Sequence, residues 1–366
     1  MRADEREHTP LLMFWHGCNY PWSTDGTTVF YGMDFGANLW GTHVGVSTRR
    51  QEVARDFLQM ARLGFTVVRW FVFCDGRSGI EYDDRGMPMG PDPHLFTDID
   101  AALDIARSVD IQLVLVLLDH RWMFEGVPDM IADPSTGVLL EARLPEGRAH
   151  VLNTLSGREA LLGNVIAPLV RRYGREGARS DLAHQILAFE FMNEPDFIVE
   201  EWERDLSSRV NRPLRFEALA DLVAHTNALV HRHTDAFATM AAARLHNLWA
   251  WDDEALGLDL IQVHTYPDRN HPTRDADVFG MRAESLGVRR PLVLGEFPGD
   301  GPRQHPAGVT PPPTTLVEYL EFALSSGYAG AWPWSFSGTD AYGRLPEEPL
   351  QEFARMHPEL VNRHAR

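Results

Sequence analysis

The sequence contains no lysine, so arginine carries every permanent positive side-chain charge among its 366 residues. The 52 acidic side chains outnumber the 34 basic ones, and the formal net charge is −18. A surface of this sign repels phosphate backbones and anionic lipid. The composition therefore argues against a nucleic-acid partner and against a membrane partner, and it is compatible with an uncharged substrate.

Cysteine is also scarce, because Cys18 and Cys74 are the only two. No disulfide framework can be built from one pair, and we expect two reduced, buried thiols. The first ten residues, MRADEREHTP, lack the basic start and long apolar run of a secretion signal. No segment approaches the ~20 apolar residues of a membrane span. These absences predict a cytoplasmic protein.

Short apolar runs alternate with amphipathic, charged stretches along most of the chain. Runs that are apolar on both faces are typical of parallel strands covered by helices. Eight such runs predict an α/β fold, a (β/α)8 TIM barrel that forms one domain over residues 1–366 with extended loops after the strands. The runs are Leu11 to Cys18, Phe65 to Val72, Ile111 to Leu118, Ile186 to Met192, Ala236 to Ala242, Leu258 to Val263, Pro291 to Gly295 and Tyr328 to Trp334.

The first strand has an alternative, since VFYGMDFGANLW from Val29 could also be strand one. Helical periodicity lies between the runs, over residues 49–63, 99–109, 156–173 and 215–233. Long loops rich in Gly, Pro and Asp precede Arg49 and separate Phe73 from Phe96 and His120 from Leu155. A barrel builds its active site from such loops.

Two glutamates stand at the ends of predicted strands. Glu194 follows ILAFEFMN, and Glu296 ends PLVLGE, about a hundred residues or three βα units later. Strands four and seven of a barrel place both carboxyl groups at one mouth. Glycoside hydrolysis needs such a pair, because one carboxyl protonates the leaving oxygen while the other attacks or guides the anomeric carbon.

Other polar and aromatic residues also end predicted strands. Each of these residues alone could have a purely structural role, such as a surface charge or a core side chain. Their common position at one end of the barrel instead predicts an active site. Side chains two residues apart on a strand point to the same face. We therefore expect His264 with Tyr266, and Trp332 with Trp334, to point into the mouth of the barrel. The group is Arg69, His120, His264 with Tyr266, and Trp332 with Trp334. Among the ten tryptophans, Trp40 is a further candidate for stacking on a sugar face.

The motifs together resemble clan A glycoside hydrolases, most closely family 5, the cellulase and mannanase family. GCNYPW, RLGFTVVRW, LVLLDH and AFEFMNEP resemble the first four strand ends of that family. IQVHTYP, LVLGEFP and GAWPWS resemble the sixth, seventh and eighth. NEP alone is a weak motif, but NEP, HTY and GEF in this order and at barrel spacing form a specific pattern.

The resemblance implies roles for the residues that match its motifs. Glu194 would be the acid/base and Glu296 the nucleophile of a retaining mechanism. Asn193 would bind the sugar 2-hydroxyl, and Arg69 and Tyr266 would hold the nucleophile ionised. His120 and His264 would bind sugar hydroxyls or the acid. Trp334 would form the floor under the reacting sugar, with Trp332 competing for that role.

The resemblance and the charge together predict an enzyme that hydrolyses β-linked oligo- or polysaccharides. We expect β-mannosides and β-glucosides to be the preferred substrates. Phe189 stands where the family often has tryptophan, and FATMAAAR lacks the usual glycine ending of strand five, so the sugar stays open. A non-catalytic carbohydrate-binding barrel and a transglycosylase with the same residues are the alternatives. Nothing in the sequence indicates an oligomeric state.

No cofactor or metal is expected. The HRH sequence at His231 and His233 ends a predicted helix, where residues two apart do not share a face. We further expect Glu190, four residues before Glu194, to point into the barrel and pair with Arg69, since a lone buried charge is costly. We expect a raised pKa for Glu194 but not for Glu296, because Arg69 would lie beside Glu296.

Overall fold

The computed structural model describes residues 14–24, 30, 32–38, 42–124, 128–132, 139–143, 148–202, 210, 212–266, 278, 281–299, 315–338 and 344–365. Only the backbone is described for residues 128–132 and 139–143. Trp40, a candidate for sugar stacking, lies outside the described residues, as do the first residues of the predicted first strand.

Eight parallel strands close into a barrel in the order β1-β12-β11-β10-β9-β8-β5-β2. Two further pairs, β3 with β4 and β6 with β7, are antiparallel hairpins outside the barrel. The strands are β1 (Trp15–Asn19), β2 (Val67–Phe71), β3 (Ile80–Tyr82), β4 (Pro88–Pro91), β5 (Gln112–Asp119), β6 (Pro128–Ala132), β7 (Leu139–Arg143), β8 (Ile186–Asn193), β9 (Phe237–Ala242), β10 (Leu260–His264), β11 (Leu292–Glu296) and β12 (Gly330–Ala331).

Helices cover the outside of the barrel and connect successive strands. A π-helical segment, Leu161–Ile166, joins α4 to α5, so the predicted helix over residues 156–173 is continuous but irregular. The helices are α1 (Arg50–Arg62), α2 (Leu95–Ser108), α3 (Arg148–Asn153), α4 (Leu155–Ala160), α5 (Ala167–Arg172), α6 (Phe216–His233), α7 (Leu248–Trp251), α8 (Leu316–Ser325) and α9 (Glu347–Met356).

The predicted barrel is confirmed, since each of the eight apolar runs overlaps one barrel strand. The alternative first strand from Val29 is wrong, because β1 spans Trp15–Asn19 and pairs with both β2 and β12. Helix bounds differ from the prediction by a few residues, most at α2, which begins four residues earlier at Leu95. Cys18 and Cys74 are free and buried, as expected. Among the described helices, none has the length and apolar character needed to cross a bilayer.

The interior of the barrel is layered along the strands. Apolar side chains from the first residues of the strands form the lowest layer, together with Trp332. Arg69, Glu190 and Gln262 follow in the next layer, and all three are fully buried. Gly295 leaves room for this layer, because a Cβ at that position would lie 2.7 Å from Oε1 of Gln262. The core therefore turns from apolar to charged toward the carboxyl ends of the strands, where the site lies.

Candidate active site

A cavity of ≈ 330 Å³ opens at the carboxyl ends of the barrel strands. Polar groups and aromatic rings share its wall, as is usual for a small-molecule site. Both predicted carboxylates, Glu194 and Glu296, line it. The full lining is Trp22, Phe71, Cys74, Asp119, His120, Arg121, Asn193, Glu194, Phe197, Ala243, Arg244, Tyr266, Glu296 and Trp334.

Glu296 is the last residue of β11, and a separate donor binds each of its carboxyl oxygens. Arg69 Nη1 lies 2.7 Å from Oε1. The phenol of Tyr266 donates to Oε2 over 2.8 Å. Charge-assisted donors of this kind stabilise the anion and fix its orientation. Only 4% of Glu296 is exposed, so its position is set by these contacts rather than by solvent.

Arg69, which is fully buried on β2, uses each of its five N–H groups within the site. Nε and Nη2 donate to the two oxygens of Glu190 over 2.7 and 2.6 Å. Nη2 also donates to Asn193 Oδ1 over 2.7 Å. Nη1 donates to Asn19 Oδ1 over 2.9 Å besides its bond to Glu296. Arg69 therefore joins β1, β8 and β11, and the predicted pairing of Glu190 with Arg69 is confirmed.

Glu194 follows β8 in a left-handed backbone conformation, with φ of 48°. Its N–H donates to the carbonyl of Ala241 over 3.1 Å, which anchors it to β9. Its Oε1 lies 2.9 Å from Nδ1 of His264, and its Oε2 lies 3.8 Å from Nδ1 of His120. A non-glycine residue held in this region is strained, and such strain concentrates at functional sites.

Burial raises the pKa of Glu194 to about 7, although His120 and Arg69 act in the opposite direction. Burial also raises the pKa of Glu296 to about 7, and the nearby Glu194 raises it further. His264, Arg69 and Tyr266 oppose this rise without offsetting it. The expectation that only Glu194 has a raised pKa is therefore wrong. The physical reason is that burial penalises the charged form of Glu296 more than Arg69 and Tyr266 favour it.

His264 lies behind Glu194 and is 3% exposed. Burial lowers its pKa to about 4, so the ring is neutral near pH 7. Neither His264 nor Arg69 lines the cavity. A direct contact of either residue with substrate, which their place in the predicted site implied, is thus not supported by their positions. Arg69 instead touches Glu296, as the resemblance implied, and His264 touches Glu194, which the resemblance gave as one of two roles.

Asn193 and His120 line the cavity as predicted, and Asp119, which the sequence reasoning had overlooked, lies between them. Asn193 Nδ2 donates to Asp119 Oδ2 over 2.8 Å, so the amide of Asn193 is fixed on both sides. His120 Nδ1 lies 3.5 Å from the same carboxylate. The motif LVLLDH contained the signal for Asp119, since its aspartate ends strand β5 directly before His120.

Trp334 lines the cavity, but Trp332 does not. The side chain of Trp332 is fully buried in the lowest layer of the barrel, and its Nε1 donates to the carbonyl of Trp15 over 3.2 Å. Its predicted role under the reacting sugar is therefore wrong. Trp22 and Phe71 instead flank Trp334, with ring centroids at 6.1 and 6.4 Å. The motif GCNYPW contains Trp22, one of the tryptophans expected to be able to stack on a sugar, whereas Phe71, directly after RLGFTVVRW, was overlooked.

Asn19 is a second overlooked residue. Its Nδ2 donates to the carbonyl of Gly295 over 2.8 Å and to that of Trp332 over 2.9 Å, while Oδ1 accepts from Arg69. The side chain thus joins β1, β2 and β11 and the residue that follows β12. GCNYPW contained it, and a buried asparagine at a strand end was the available signal.

Glu194, His264 and Glu296 place one potential ligand atom each within 4.8 Å of one another, and within the described ranges no other group of three does so. Arg69 already holds a positive charge 2.7 Å from Glu296. A cation among these three residues would be repelled by that guanidinium. The arrangement serves paired acid and base chemistry better than metal binding.

No protein-family model matches the chain. A mannan endo-1,4-β-mannosidase of Mytilus edulis is 25% identical over 345 residues, covering 88% of this chain and 83% of that protein. The endo-1,4-β-mannanase of Eisenia fetida has a TM-score of 0.68 and 17% identity, with 97% of this chain and 94% of the other covered. The β-1,4-D-mannanase of Cryptopygus antarcticus has a TM-score of 0.66 and 16% identity, over 93% and 89% of the two chains.

The fold is shared along nearly the whole chain, and the sequence relative covers most of it. Both agree with the resemblance that the strand-end motifs predicted. The chain is a (β/α)8 barrel, similar in sequence to a mannan endo-1,4-β-mannosidase and similar in fold to β-mannanases.

Proposed function

We propose that this protein is a retaining β-glycosidase that cleaves β-mannosidic bonds, with Glu194 as acid/base and Glu296 as nucleophile. The similarity to a mannan endo-1,4-β-mannosidase favours mannosides over glucosides. One observation carries the proposal. Two carboxyl groups share one cavity, with an oxygen of each within 4.8 Å of the other, and Glu296 accepts hydrogen bonds from an arginine and a tyrosine.

The contacts divide the roles between the two carboxyl groups. Glu296 accepts from a guanidinium and a phenol, and both donors favour its ionised form. The nearest partner of Glu194 is the neutral ring of His264. When the pair holds one proton, the proton therefore resides on Glu194. This is the protonation state in which Glu194 donates and Glu296 attacks.

The reaction then proceeds in two displacements. In the first, Glu296 bonds to the anomeric carbon while the glycosidic bond breaks and Glu194 protonates the departing oxygen. In the second, Glu194 takes a proton from water, whose oxygen displaces Glu296. Two inversions at one carbon retain its configuration. Retaining enzymes hold their carboxyl groups about 5 to 5.5 Å apart, leaving no room for a water between them. The closeness of the two oxygens fits this class.

Aromatic rings supply the remaining wall. Trp334, Trp22 and Phe71 line one part of the cavity and contact one another edge to face or at a tilt. The partly exposed Trp334 offers an apolar surface to the C–H face of a sugar. Asn193 and Asp119 offer polar groups to its hydroxyls. The cavity thus combines the two kinds of contact that an uncharged sugar requires.

A substrate screen with stereochemical readout tests the proposal. Aryl β-mannoside, β-glucoside and β-galactoside are offered with soluble mannan, and proton NMR follows the first-formed anomer. We expect the mannoside to be cleaved fastest and the β-anomer to appear first. Initial release of the α-anomer would mean inversion and contradict the mechanism. Absence of turnover with retained mannan binding would favour the non-catalytic barrel, and dominant transfer to a sugar acceptor would favour the transglycosylase.

A further inference from the structure

One buried carboxylate of the barrel has no part in the two displacements. Glu190 lies on β8 below the cavity, is fully buried, and does not line the cavity. It accepts two hydrogen bonds from Arg69, over 2.6 and 2.7 Å, and a third from Gln262 Nε2 over 2.8 Å. A group that only accepts, and accepts from a guanidinium in this bidentate way, is an ionised carboxylate.

The charges around Arg69 do not balance. Its single positive charge faces Glu190 through two hydrogen bonds and Glu296 through one. With both carboxylates ionised, the group of three carries one net negative charge in a site almost closed to solvent. Charges so close and so poorly screened act strongly on one another.

We propose that Glu190 is a positioning residue that aims Arg69 at Glu296 and, by sharing the charge of Arg69, leaves Glu296 less neutralised than it would be beside an unshared guanidinium. The inference rests on the proposed function for its catalytic meaning, but the effect on Glu296 is measurable without turnover. Arg69 lies 2.7 Å from Glu296 and lowers its pKa, yet burial leaves that pKa raised to about 7, so the guanidinium does not offset the burial.

Other charged or titratable groups near Glu296 also contribute to the electrostatic environment of its carboxyl group. Arg69 approaches from β2, His264 from β10 and Tyr266 from directly after β10, while Glu194 follows β8 and Glu190 on β8 is linked to Glu296 through Arg69. His120, which follows β5, is linked to them through Glu194. His264 is neutral near pH 7. Arg69 is therefore the one permanent positive charge in direct contact with Glu296 among the described side chains.

This balance matters in both displacements. A carboxylate fully neutralised by arginine is a weak nucleophile but a good leaving group, whereas an unpaired one is the reverse. By holding part of the arginine's charge, Glu190 leaves Glu296 basic enough to attack. By fixing the guanidinium, Glu190 keeps Nη1 on Oε1 of Glu296 during both steps.

The test is a titration of Glu296 by ¹³C NMR of carboxyl-labelled protein, assigned with Glu296→Gln. In Glu190→Gln the midpoint of Glu296 should fall by about one pH unit or more, because the competing negative charge is gone. In Glu190→Asp the charge remains, so the midpoint should stay near that of the parent. Gln262→Met is the matched control, since it removes a hydrogen bond to Glu190 without changing any charge.

The outcomes separate this inference from the proposed function. An unchanged or raised midpoint in Glu190→Gln, with native circular dichroism, would overturn the inference. Equal shifts in Glu190→Gln and Gln262→Met would also overturn it, because the role would then be structural. If the midpoint falls as expected but the parent cleaves no aryl mannoside, the proposed function fails and the inference stands. In an active parent, the acidic limb of kcat/KM should move down in Glu190→Gln and return in Glu190→Asp.

Discussion

Tyr266 donates its phenolic hydrogen to Oε2 of Glu296 over 2.8 Å. The tyrosine lines the cavity, so this bond lies at the boundary between the buried charged residues and the cavity. A donor at this position both holds the carboxylate and supports its ionised form. It is the contact to Glu296 that can be removed with the smallest change of volume.

Tyr266→Phe should lower kcat/KM on an aryl β-mannoside by roughly 10- to 100-fold. The reason is that a hydrogen bond to a charged group contributes about 1.5–3 kcal/mol. The acidic limb of the profile should also move to higher pH, since the lost bond had favoured the anion. Steady-state rates across pH check both effects. A variant with parental kcat/KM and an unmoved limb would show that this tyrosine does not support the nucleophile.

Chemical rescue should separate the roles of the two glutamates. In Glu194→Ala, turnover of an aryl glycoside with a good leaving group should persist in part, and added azide should accelerate it. The retained Glu296 still forms the glycosyl-enzyme, which azide resolves to the β-glycosyl azide. In Glu296→Ala no such intermediate forms, and azide should give the α-azide by a single displacement.

The control for the rescue is Glu284→Ala, because this glutamate lies on the surface with 75% of its side chain exposed. It should keep parental rates and show no response to azide. Identical azide anomers from the two active-site variants would contradict the assignment of roles. Parental turnover in both variants would remove these two residues from the mechanism altogether.

The activity should depend on pH as a bell centred near neutrality. Burial raises the pKa of both Glu194 and Glu296 to about 7, and activity needs one proton on the pair. Below the bell Glu296 becomes protonated and cannot attack, and above it Glu194 loses the proton it must donate. Coupled groups titrate as a pair, so the two limbs report the couple. A profile that is flat from pH 5 to 9 would contradict the shared proton.

His16 should make the fold sensitive to acid. It lies fully buried on β1 between the rings of Phe65 and Phe353, with centroids at 4.8 and 4.9 Å. Burial lowers its pKa from 6.5 to about 3. Between these values the unfolded chain binds a proton that the folded chain does not, so the free energy of unfolding falls as the pH falls through this window.

His16→Phe should reduce that loss by up to about 1.4 kcal/mol per pH unit. Denaturant unfolding of parent and variant at pH 8 and pH 5 measures it. Glu194 and Glu296 have raised pKa values and act in the opposite direction, but they are present in both proteins. The difference between parent and variant therefore isolates His16. Parallel stability curves for the two proteins would refute this source of acid sensitivity.

The barrel and the position of its site were predictable because both rest on simple periodicity. Eight apolar runs needed eight parallel strands, and polar residues ended several of them. The strand positions of Glu194 and Glu296 therefore predicted, without information on packing, that both side chains lie at one mouth of the barrel. Both line the cavity. The inward position of Glu190 also followed, since a carboxylate in an apolar strand requires a buried partner.

The failures arose where strands stop being regular. Trp332 and Trp334 were expected to share a face, but β12 ends at Ala331, so the alternation of a strand does not govern them. In β8 the pairing register shifts between Glu190 and Asn193, and Glu194 lies beyond the strand. The contact of Arg69 with two carboxylates could not be predicted from sequence for a different reason. It depends on how β2, β8 and β11 pack together and on how many acceptors bind one guanidinium.

The left-handed backbone at Glu194 implies that this protein gives up stability at the position of its proposed acid/base. Asparagine adopts that conformation more readily than glutamate and would not leave a long carboxyl group in a buried site. Glu194→Asn should therefore melt at a higher temperature than the parent while losing acid/base chemistry. Selection for stability alone would not favour glutamate at this position. We therefore attribute this glutamate to selection for its proposed function.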